Sequence, residues 1–573
     1  MKTFLGSLYH LFVTANKTHI VWCGAIILIM LILAILHHFW KNDTKKIRLW
    51  RLLCLIPLLA AAAHALIYIW GIPAFAVDYI PLYLIAAFAL IPIPFAKRKI
   101  GYRITAALTG VVSVMCGLYF CATSPNSFNH TRESYTDSFH SMVQDMDKTY
   151  ILKEWKEVDF TALEEKYMHI VQEAEKEQDP MKFADAVRMF CNELHDGHVS
   201  MSVHLEYNQT EHRSAIQRHE YGLAMVHLDN NDVIAVCTAA EVNALGIEDG
   251  TVITKWNGKP VLQAATEDVM DHGMPVKSND ERIAAMVLSG IGGETVDVSF
   301  LDKSGKEQTV TLSDLGEMHT FTEADSAFSH VPIDETEEDS NFSTKMLNEK
   351  CGYLRLSSCE SGSVLRDNLA YLSGDHKWAR EMFREKLRDL KAQGMEYLVV
   401  DLRNNGGGFD EIGCALCDLL TDKDWYGQGL GIRKNGQYKC VSDHGIHGDG
   451  EFADLQVVAL TNYNCASAGD GASLYLSRLP NVTVAGITDP NGCNQETGGQ
   501  CALSDGLIRV YFPVGLVLDE NGDPNIDTRA DRISRNPVEV RIPLDYEAAM
   551  KMFRDKEDHE LDWAVRYLED QAG

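Results

Sequence analysis

Two short segments in the C-terminal half of the chain carry residues suited to acyl transfer. The first is a run of three glycines, residues 406–408, that follows the short apolar segment 397–402. Glycine lets a backbone approach a ligand closely and point its N–H groups at it. The second is Ser467, which follows the apolar segment 455–460 and stands where a helix is predicted to begin. A helix start offers unpaired N–H groups and a positive dipole end, so a hydroxyl nucleophile there, near a glycine turn, suits attack on a carbonyl group.

Each segment has a commoner explanation when it is taken alone. A glycine-rich turn after a strand also occurs in phosphate-binding loops. A serine at a helix start is most often an N-cap, whose hydroxyl accepts a hydrogen bond from a backbone N–H. The combination of the two segments, in this order, is what favours catalysis.

The elements around these segments alternate between strands and helices. An amphipathic helix is predicted at 378–393 and short buried strands at 352–356, 397–402, 455–460 and 482–486. Strand–turn–helix units that repeat in this way predict an α/β core over residues 351–573.

Residues 214–315 form a β-rich segment punctuated by glycines. Within it, Trp256-Asn257-Gly258-Lys259 predicts a tight hairpin turn. The order of its motifs resembles a PDZ domain. In that module a backbone loop holds a C-terminal carboxylate while the peptide adds to the sheet edge. The resemblance places the peptide-binding loop at Tyr221, Gly222, Leu223 and Ala224.

Residues 1–122 have the pattern of a four-helix transmembrane region. Four apolar stretches, each about as long as the 17–25 residues that cross a bilayer, lie at 20–40, 52–70, 80–96 and 104–122. Lys and Arg are concentrated in the first and third connections between them, which predicts that those connections are cytoplasmic. The N-terminus and everything after residue 122 are then predicted to be extracytoplasmic, in a multi-pass protein embedded in a lipid bilayer.

The net charge of −29 is unevenly distributed along the chain. Residues 1–121 hold 11 Lys and Arg against 2 Asp and Glu, whereas the rest holds 41 against 79. Such an acidic surface repels phosphate backbones and excludes nucleic acid as a partner of the larger part. Residues 132–213 show helical periodicity and are predicted to be a helical part of the same region. Residues 316–350, acidic and poor in apolar residues, predict a linker.

The whole order of motifs resembles the tail-specific, or C-terminal processing, peptidase family. The resemblance is carried by the PDZ-like segment and by Asp-Gly-His (196–198), Tyr-Leu-Arg-Leu (353–356), Val-Val-Asp-Leu-Arg-Asn-Asn-Gly-Gly-Gly (399–408), Ser-Ala-Gly-Asp (467–470) and Val-Ala-Gly (484–486). That family has a crotonase-like ββα core with an inserted PDZ domain, and it cleaves proteins, often near their C-termini. The resemblance implies that Ser467 is the nucleophile, that Ala468 donates one oxyanion N–H, and that Gly407 or Gly408 donates the other.

The general base departs from the bacterial and chloroplast pattern of that family. Those members use a lysine after the third strand, but the equivalent residues 489–494 contain no lysine. The tricorn-like branch pairs its serine with a histidine and an acid, which implies His198 as the base. A histidine with an ordinary pKa near 6.5 can act as a general base at neutral pH without a large shift of that pKa. The acid is implied at Asp519, with Glu520 beside it and Glu496 as a third option.

We therefore expect a membrane-anchored serine endopeptidase that hydrolyses extracytoplasmic polypeptides, with no cofactor and no metal. The alternative is a catalytically inactive protein that retains the fold and binds a polypeptide or another ligand. Nothing in the sequence indicates an oligomeric state. Ten of the 14 cysteines follow residue 122, and in an oxidising compartment we expect a disulfide between Cys493 and Cys501.

Overall fold

The structure of the chain is a computed structural model that describes residues 3–7, 9, 28, 32–33, 35–40, 42–53, 126–203, 219–270, 281–316, 320–330, 341–526, 536 and 538–572. The chain divides into a small unit, Leu11–Phe128, and a large unit, Met1–His10 with Asn129–Gly573. In the small unit, helix α1 spans Thr44–Leu53, and strand β1, Asn126–Asn129, ends at the boundary between the units.

Among the described residues, no helix combines the length and the apolar character needed to cross a membrane. The four predicted spans lie almost wholly outside those residues.

The large unit opens with a helical layer, as its periodicity predicts. Its elements are α2 (Tyr135–Thr149), α3 (Phe160–Glu177), α4 (Pro180–Asn192) and the short strand β2 (Ser200–Val203). Ser134, Asp159 and Asp179 cap the three helices by accepting backbone N–H groups with their side chains. The apolar faces of the helices meet in a cluster of aromatic rings that includes Phe139 and Phe190.

An antiparallel sheet forms the next part of the large unit. Its elements are β3 (Ala224–His227), β4 (Val233–Val236), α5 (Ala240–Asn243), β5 (Val252–Trp256), β6 (Lys259–Pro260), α6 (Val261–Met270), α7 (Glu281–Leu288), β7 (Thr295–Leu301) and β8 (Glu307–Ser313). The strand order is β3-β4-β5-β7-β8, and β6 pairs with β5. The predicted hairpin turn is confirmed, since Asn257 and Gly258 connect β5 to β6 with φ angles of 49° and 77°.

The remaining elements build two further sheets and the helices that cover them. They are α8 (Thr320–Ser329), β9 (Phe342–Met346), β10 (Cys351–Leu356), α9 (Val364–Ser373), α10 (Lys377–Ala392), β11 (Tyr397–Asp401), α11 (Asp410–Leu420), β12 (Trp425–Lys434), β13 (Gln437–Ile446), β14 (Gln456–Leu460), α12 (Ala468–Ser477), β15 (Val482–Gly486), β16 (Glu496–Ala502), β17 (Ile508–Leu518), β18 (Val540–Arg541), α13 (Tyr546–Ala549) and α14 (His559–Ala572).

One of these sheets places the glycine run beside Ser467. Its order is β18-β15-β14-β11-β10-β9, and all of its pairs are parallel except that of β9 with β10. The last residue of β11, Asp401, pairs with the last residue of β14, Leu460. The segments that follow these two strands therefore leave the sheet at the same edge, and the predicted α/β core is confirmed.

The other sheet places the residues before β2. Strand β17 pairs with β16, β12 and β2, and β12 pairs with β13. In this sheet Ser200 of β2 lies opposite Tyr511 of β17. The turn that contains His198 ends two residues before β2, so this pairing fixes where that turn can lie.

The prediction that residues 316–350 form a linker is wrong in two places. Residues 320–329 form α8, whose Phe328 is buried against Tyr463 and Phe553. Residues 342–346 form β9, which extends the parallel sheet at its edge. The acidic composition of the segment hid an apolar helix face and an edge strand. The most acidic residues, 334–339, lie outside the described part.

Candidate active site

Ser467 lies directly before α12 in a strained backbone conformation. Its φ and ψ are 56° and −130°, values that a residue with a side chain rarely adopts. Its backbone N–H donates to the carbonyl of Cys493 at 2.8 Å, and its hydroxyl makes no capping hydrogen bond. The common role of a serine at a helix start is therefore absent here, and the half-buried hydroxyl is left for chemistry.

The glycine run packs directly against Ser467. Gly407 has a φ of 107°, and a Cβ on it would lie 2.5 Å from the Cβ of Ser467. Only glycine fits this approach. The N–H of Gly407 donates to Oδ1 of Asn405 at 2.9 Å, so it is already used. The N–H groups of Gly408 and Ala468 have no hydrogen-bond partner within the described part of the chain. Of the two predicted glycines, Gly408 is thus the one with a donor to offer beside Ala468.

His198 lies in a turn held by the buried carboxylate of Asp196. One oxygen of this carboxylate accepts the N–H of His198 at 2.8 Å, and the other accepts the hydroxyl of Tyr150 at 2.8 Å. The neighbouring Gly197 packs against Asn491 and Cys493, and a Cβ on it would lie 2.7 Å from Sγ of Cys493. Because Cys493 also accepts the N–H of Ser467, the His198 turn and Ser467 both lie against residues 491–493.

The imidazole of His198 is in the state that a general base requires. Its Nδ1 is buried and has no hydrogen-bond partner among the described residues. Burial lowers the pKa of His198 below its ordinary value of 6.5, against the opposing charge of Asp196. The ring is therefore neutral at pH 7 and can accept a proton.

Comparison with known families identifies the part of the large unit that contains Ser467. Residues 350–527, which include the glycine run and Ser467, match the family model described as Peptidase family S41. The chain therefore carries a peptidase domain of family S41. It is accordingly a serine-type peptidase, with polypeptides as its substrates. No curated protein sequence matches the chain significantly.

Solved structures resemble this S41 peptidase in fold at low sequence identity. Mature CPAF is 14% identical with a TM-score of 0.50, and the match covers 77% of this chain and 98% of that chain. The photosystem II D1 C-terminal processing protease is 17% identical with a TM-score of 0.33, covering 74% and 99%. The tricorn protease is 14% identical with a TM-score of 0.36, covering 77% and 37%. The likeness to mature CPAF, together with the family match, shows the mixed α/β fold with several sheets of S41 peptidases.

The structure does not bring the predicted acids to His198. The carboxylate of Asp519 accepts the N–H groups of Asn521 and Asp523 in the turn after β17. Glu520 is exposed and lies 3.4 Å from Arg478, which follows the C-terminus of α12. Helix α12 is about 15 Å long, so this contact places Glu520 at the end of the helix away from Ser467.

Glu496, the third option for the acid, lies at the start of β16. Its Oε1 accepts the hydroxyl of Tyr371 at 2.8 Å. None of the three carboxylates is placed beside Nδ1 of His198 by these contacts.

Asp470, three residues after Ser467, is a candidate site residue that sequence reasoning missed. It is fully buried in the first turn of α12, where an acid is ordinarily explained by the helix dipole. Its Oδ2 accepts the N–H groups of Gly492 at 2.6 Å and Cys493 at 3.2 Å, and its Oδ1 accepts Nδ2 of Asn536 at 3.1 Å. Burial raises its pKa to about 7. Asp470 thus fastens residues 492–493 to the nucleophile helix.

We expect the substitution Asp470→Ala to lower kcat by about 100-fold. Without the carboxylate, the N–H groups of Gly492 and Cys493 lose their acceptor, and a shift of about 1 Å at a catalytic group costs about that much. Asp470→Asn keeps an acceptor oxygen and should retain most of the activity. Steady-state hydrolysis of an unstructured protein by the two folded variants measures the difference. Equal kcat in the Ala variant and the native chain would contradict this positioning role.

Asn525 is a second missed candidate in the S41 site. It is 3% exposed, and neither Nδ2 nor Oδ1 has a hydrogen-bond partner among the described residues. The next residue, Ile526, accepts the N–H of Asn494, which follows Cys493. Buried polar groups without a partner are rare, and they commonly bind water or act in catalysis. The side chain of Asn525 is therefore open to a water molecule or a substrate group near residues 491–494.

The predicted peptide-binding loop of the PDZ-like segment is buried, and one of its N–H groups already has an internal acceptor. Tyr221, Gly222, Leu223 and Ala224 are all buried. The N–H of Gly222 donates to the carboxylate of Glu220 at 2.7 Å, and the same carboxylate accepts the N–H of Thr320 in α8. Helix α7 packs against β3, the strand that this loop opens. In this conformation an internal carboxylate takes the N–H of Gly222, and the assignment of the loop as a carboxylate-binding site stays a prediction.

The predicted disulfide between Cys493 and Cys501 is wrong, since neither cysteine forms a disulfide in the structure. Cys501 lies near the far end of β16, and the extended backbone from Glu496 to Cys501 spans about 16 Å. A disulfide requires Cα atoms within about 7 Å. The Sγ of Cys493 instead contacts Oδ1 of Asn491 at 3.1 Å.

Proposed function

We propose that the chain is a membrane-anchored serine endopeptidase, with Ser467 as nucleophile and His198 as general base. One observation carries the proposal. The hydroxyl of Ser467 makes no capping bond, sits on strained backbone and lies against Gly407, and among the described residues the adjoining N–H groups of Gly408 and Ala468 have no hydrogen-bond partner. Strain of this kind persists at functional sites, because the surrounding structure must hold it in place.

The geometry supports an acyl-enzyme mechanism. Ser467 Oγ attacks the substrate carbonyl carbon while His198 accepts the hydroxyl proton. The carbonyl oxygen becomes an oxyanion that the N–H groups of Gly408 and Ala468 stabilise. The C–N bond then breaks, and His198 returns the proton to the leaving amine. In the second half, water attacks the ester, His198 takes a proton from that water, and Ser467 is restored as the acid product leaves.

The finer domain assignment belongs to the same proposal. We assign residues 351–573 as a crotonase-like core and residues 214–315 as a PDZ-like domain. The helical residues 132–213 belong to the peptidase region as well. The parallel sheet with α11 and α12 on one edge supports the first assignment, and the confirmed hairpin in the antiparallel sheet supports the second. Since β9 pairs with β10, the core begins before residue 351.

Membrane anchoring rests on residues 1–122. The four apolar stretches and the placement of basic residues between them support four spans with an extracytoplasmic N-terminus. A contact inside the large unit agrees with this topology: Ser7 Oγ lies 3.0 Å from Ser442 Oγ of β13. It supports an N-terminus on the same side of the bilayer as the peptidase.

A fluorophosphonate probe tests the nucleophile. We expect the full-length chain to become covalently labelled at one serine, because the probe captures an activated hydroxyl beside an oxyanion site. Ser467→Ala should abolish the labelling. Ser473→Ala is the matched control, since Ser473 is a fully buried serine of the same helix and its loss should leave labelling intact. A folded but unlabelled native chain would overturn the proposal and favour the inactive binding protein.

A further inference from the structure

Three metal-binding side chains converge far from Ser467 in the sequence. The ligand atoms of His130, Asp145 and Cys501 all lie within 4.8 Å of one another. Nε2 of His130 is 2.8 Å from Oδ2 of Asp145. Cys501 is fully buried, whereas the side chains of His130 and Asp145 are 13% and 18% exposed. The cluster thus has a closed inner side, formed by the thiol, and an outer side that an ion can enter.

We infer that His130, Asp145 and Cys501 bind a structural Zn²⁺ ion. Zinc accepts imidazole nitrogen, carboxylate oxygen and thiolate sulfur at about 2.0–2.3 Å. A thiolate ligand excludes Mg²⁺ and Ca²⁺, which take oxygen ligands. Three protein ligands leave one tetrahedral position for water on the exposed side.

The surroundings of His130 match those of a zinc-binding histidine. Its Nδ1 lies 3.0 Å from Oε1 of Glu133, so the second ring nitrogen faces Asp145 and the thiol. Metal-bound histidines almost always donate their other N–H to a carboxylate or carbonyl in this way. The backbone holds the ring in place as well, because the N–H of His130 donates to the carbonyl of Ala502 at 2.8 Å.

Charge also favours a divalent ion at this position. The charge of Zn²⁺ would be balanced by the Asp145 carboxylate and by the Cys501 thiolate, which forms when the ion displaces the thiol proton.

The position of the cluster indicates a structural role. Asp145 belongs to α2 and Cys501 to β16, while His130 follows β1 at the boundary of the large unit. A bound ion would fasten the first helix of the large unit to the sheet that carries β16 and β17. It lies at the end of β16 away from Cys493 and the nucleophile, so the inference stands independently of the proposed catalytic function.

Metal titration of the purified full-length chain, stripped with a chelator, tests the inference. We expect one Zn²⁺ per chain with a Kd on the order of 1 µM or tighter. Saturating zinc should raise the Tm by about 2–4 °C. Co²⁺, used as a spectroscopic probe, should give thiolate-to-cobalt charge-transfer absorption. His130→Gln should lose zinc binding, and Cys501→Ser should lose the thiolate-to-cobalt absorption.

His140→Gln is the matched control for these variants. His140 lies on α2 and pairs with Glu164, as His130 pairs with carboxylates, but no thiol completes the group. This variant should bind zinc like the native chain. The inference is overturned if the native chain gives no cobalt–thiolate absorption, or if His130→Gln and His140→Gln take up equal zinc. Either result would mean that the cluster is an ion pair beside a buried thiol. Fluorophosphonate labelling of the zinc-free chain separates this outcome from failure of the catalytic site.

Discussion

Replacing His198 with Gln is expected to lower kcat/KM for polypeptide hydrolysis by about 10⁴–10⁶-fold. Glutamine cannot accept the proton of Ser467, so attack on the carbonyl would require the far weaker neutral hydroxyl. The residual rate would come from the oxyanion donors and from substrate binding. Because nucleophile and base act as one unit, Ser467→Ala should cost about as much. The double variant should lose no more than either single one. Steady-state hydrolysis with all three variants measures this non-additivity.

A matched control lies in the same turn. His195→Gln removes an imidazole three residues away and should leave kcat/KM near the native value. The pH profile gives a further readout. Since burial holds the pKa of His198 below 6.5, the neutral base persists as the pH falls from 7, and kcat/KM should decline only below about pH 6.5. A folded His198→Gln variant with native kcat/KM would contradict the assignment.

Replacing Arg403 with Leu is expected to destabilise the fold by about 3–5 kcal/mol. Arg403 is 4% exposed and binds both oxygens of Asp401, at 2.9 and 2.7 Å. It also binds both oxygens of Asp558 and lies 3.2 Å from Oε2 of Glu560. Leucine would leave three carboxylates facing one another, two of which, Asp401 and Glu560, are buried. The loss of stability comes from leaving buried charges without a counterion. This loss is larger than the net contribution of the ion pairs to the free energy of unfolding.

Urea unfolding of the purified variant measures this loss. Arg388→Leu is the matched control, because Arg388 forms a comparable two-contact pair with Glu451 on an exposed face of α10. Water already solvates that pair, so its removal should leave the unfolding midpoint within experimental error. If Arg403→Leu behaved like Arg388→Leu, the Arg403 cluster would not be the anchor of α14 that the contacts indicate.

The parallel core could be predicted from the sequence because its strands are buried on both faces. Residues 397–400 and 457–460 are continuous apolar runs, and such runs mark parallel strands. The meeting of Ser467 with the glycine run follows from the same fact, since both segments leave neighbouring strands at one edge. The role of Asp401 and Arg403 was not predictable in the same way. Their partners, Asp558 and Glu560, are more than 150 residues away in the chain.

The features that were missed depend on distant contacts. Asp470 has an ordinary position in a first helical turn, and only the fold brings Gly492 and Cys493 onto its carboxylate. His130 and Asp145 have no zinc-type spacing with Cys501, which lies more than 350 residues further on. The acidic residues around α8 hid its buried face, because composition averages over residues that a helix separates onto two sides.

The carboxylate of Glu220 has a consequence for how this peptidase selects its substrates. It occupies the loop before β3 as a tethered ligand would, held by Gly222 and Thr320. The C-terminus of a substrate would have to displace the Glu220 carboxylate, which is part of the same chain and is therefore always present at high local concentration. The substrate would then form only the hydrogen bonds that Glu220 already makes. In this conformation, selectivity should therefore come from the side chains that flank the bond to be cut and not from the polypeptide's end.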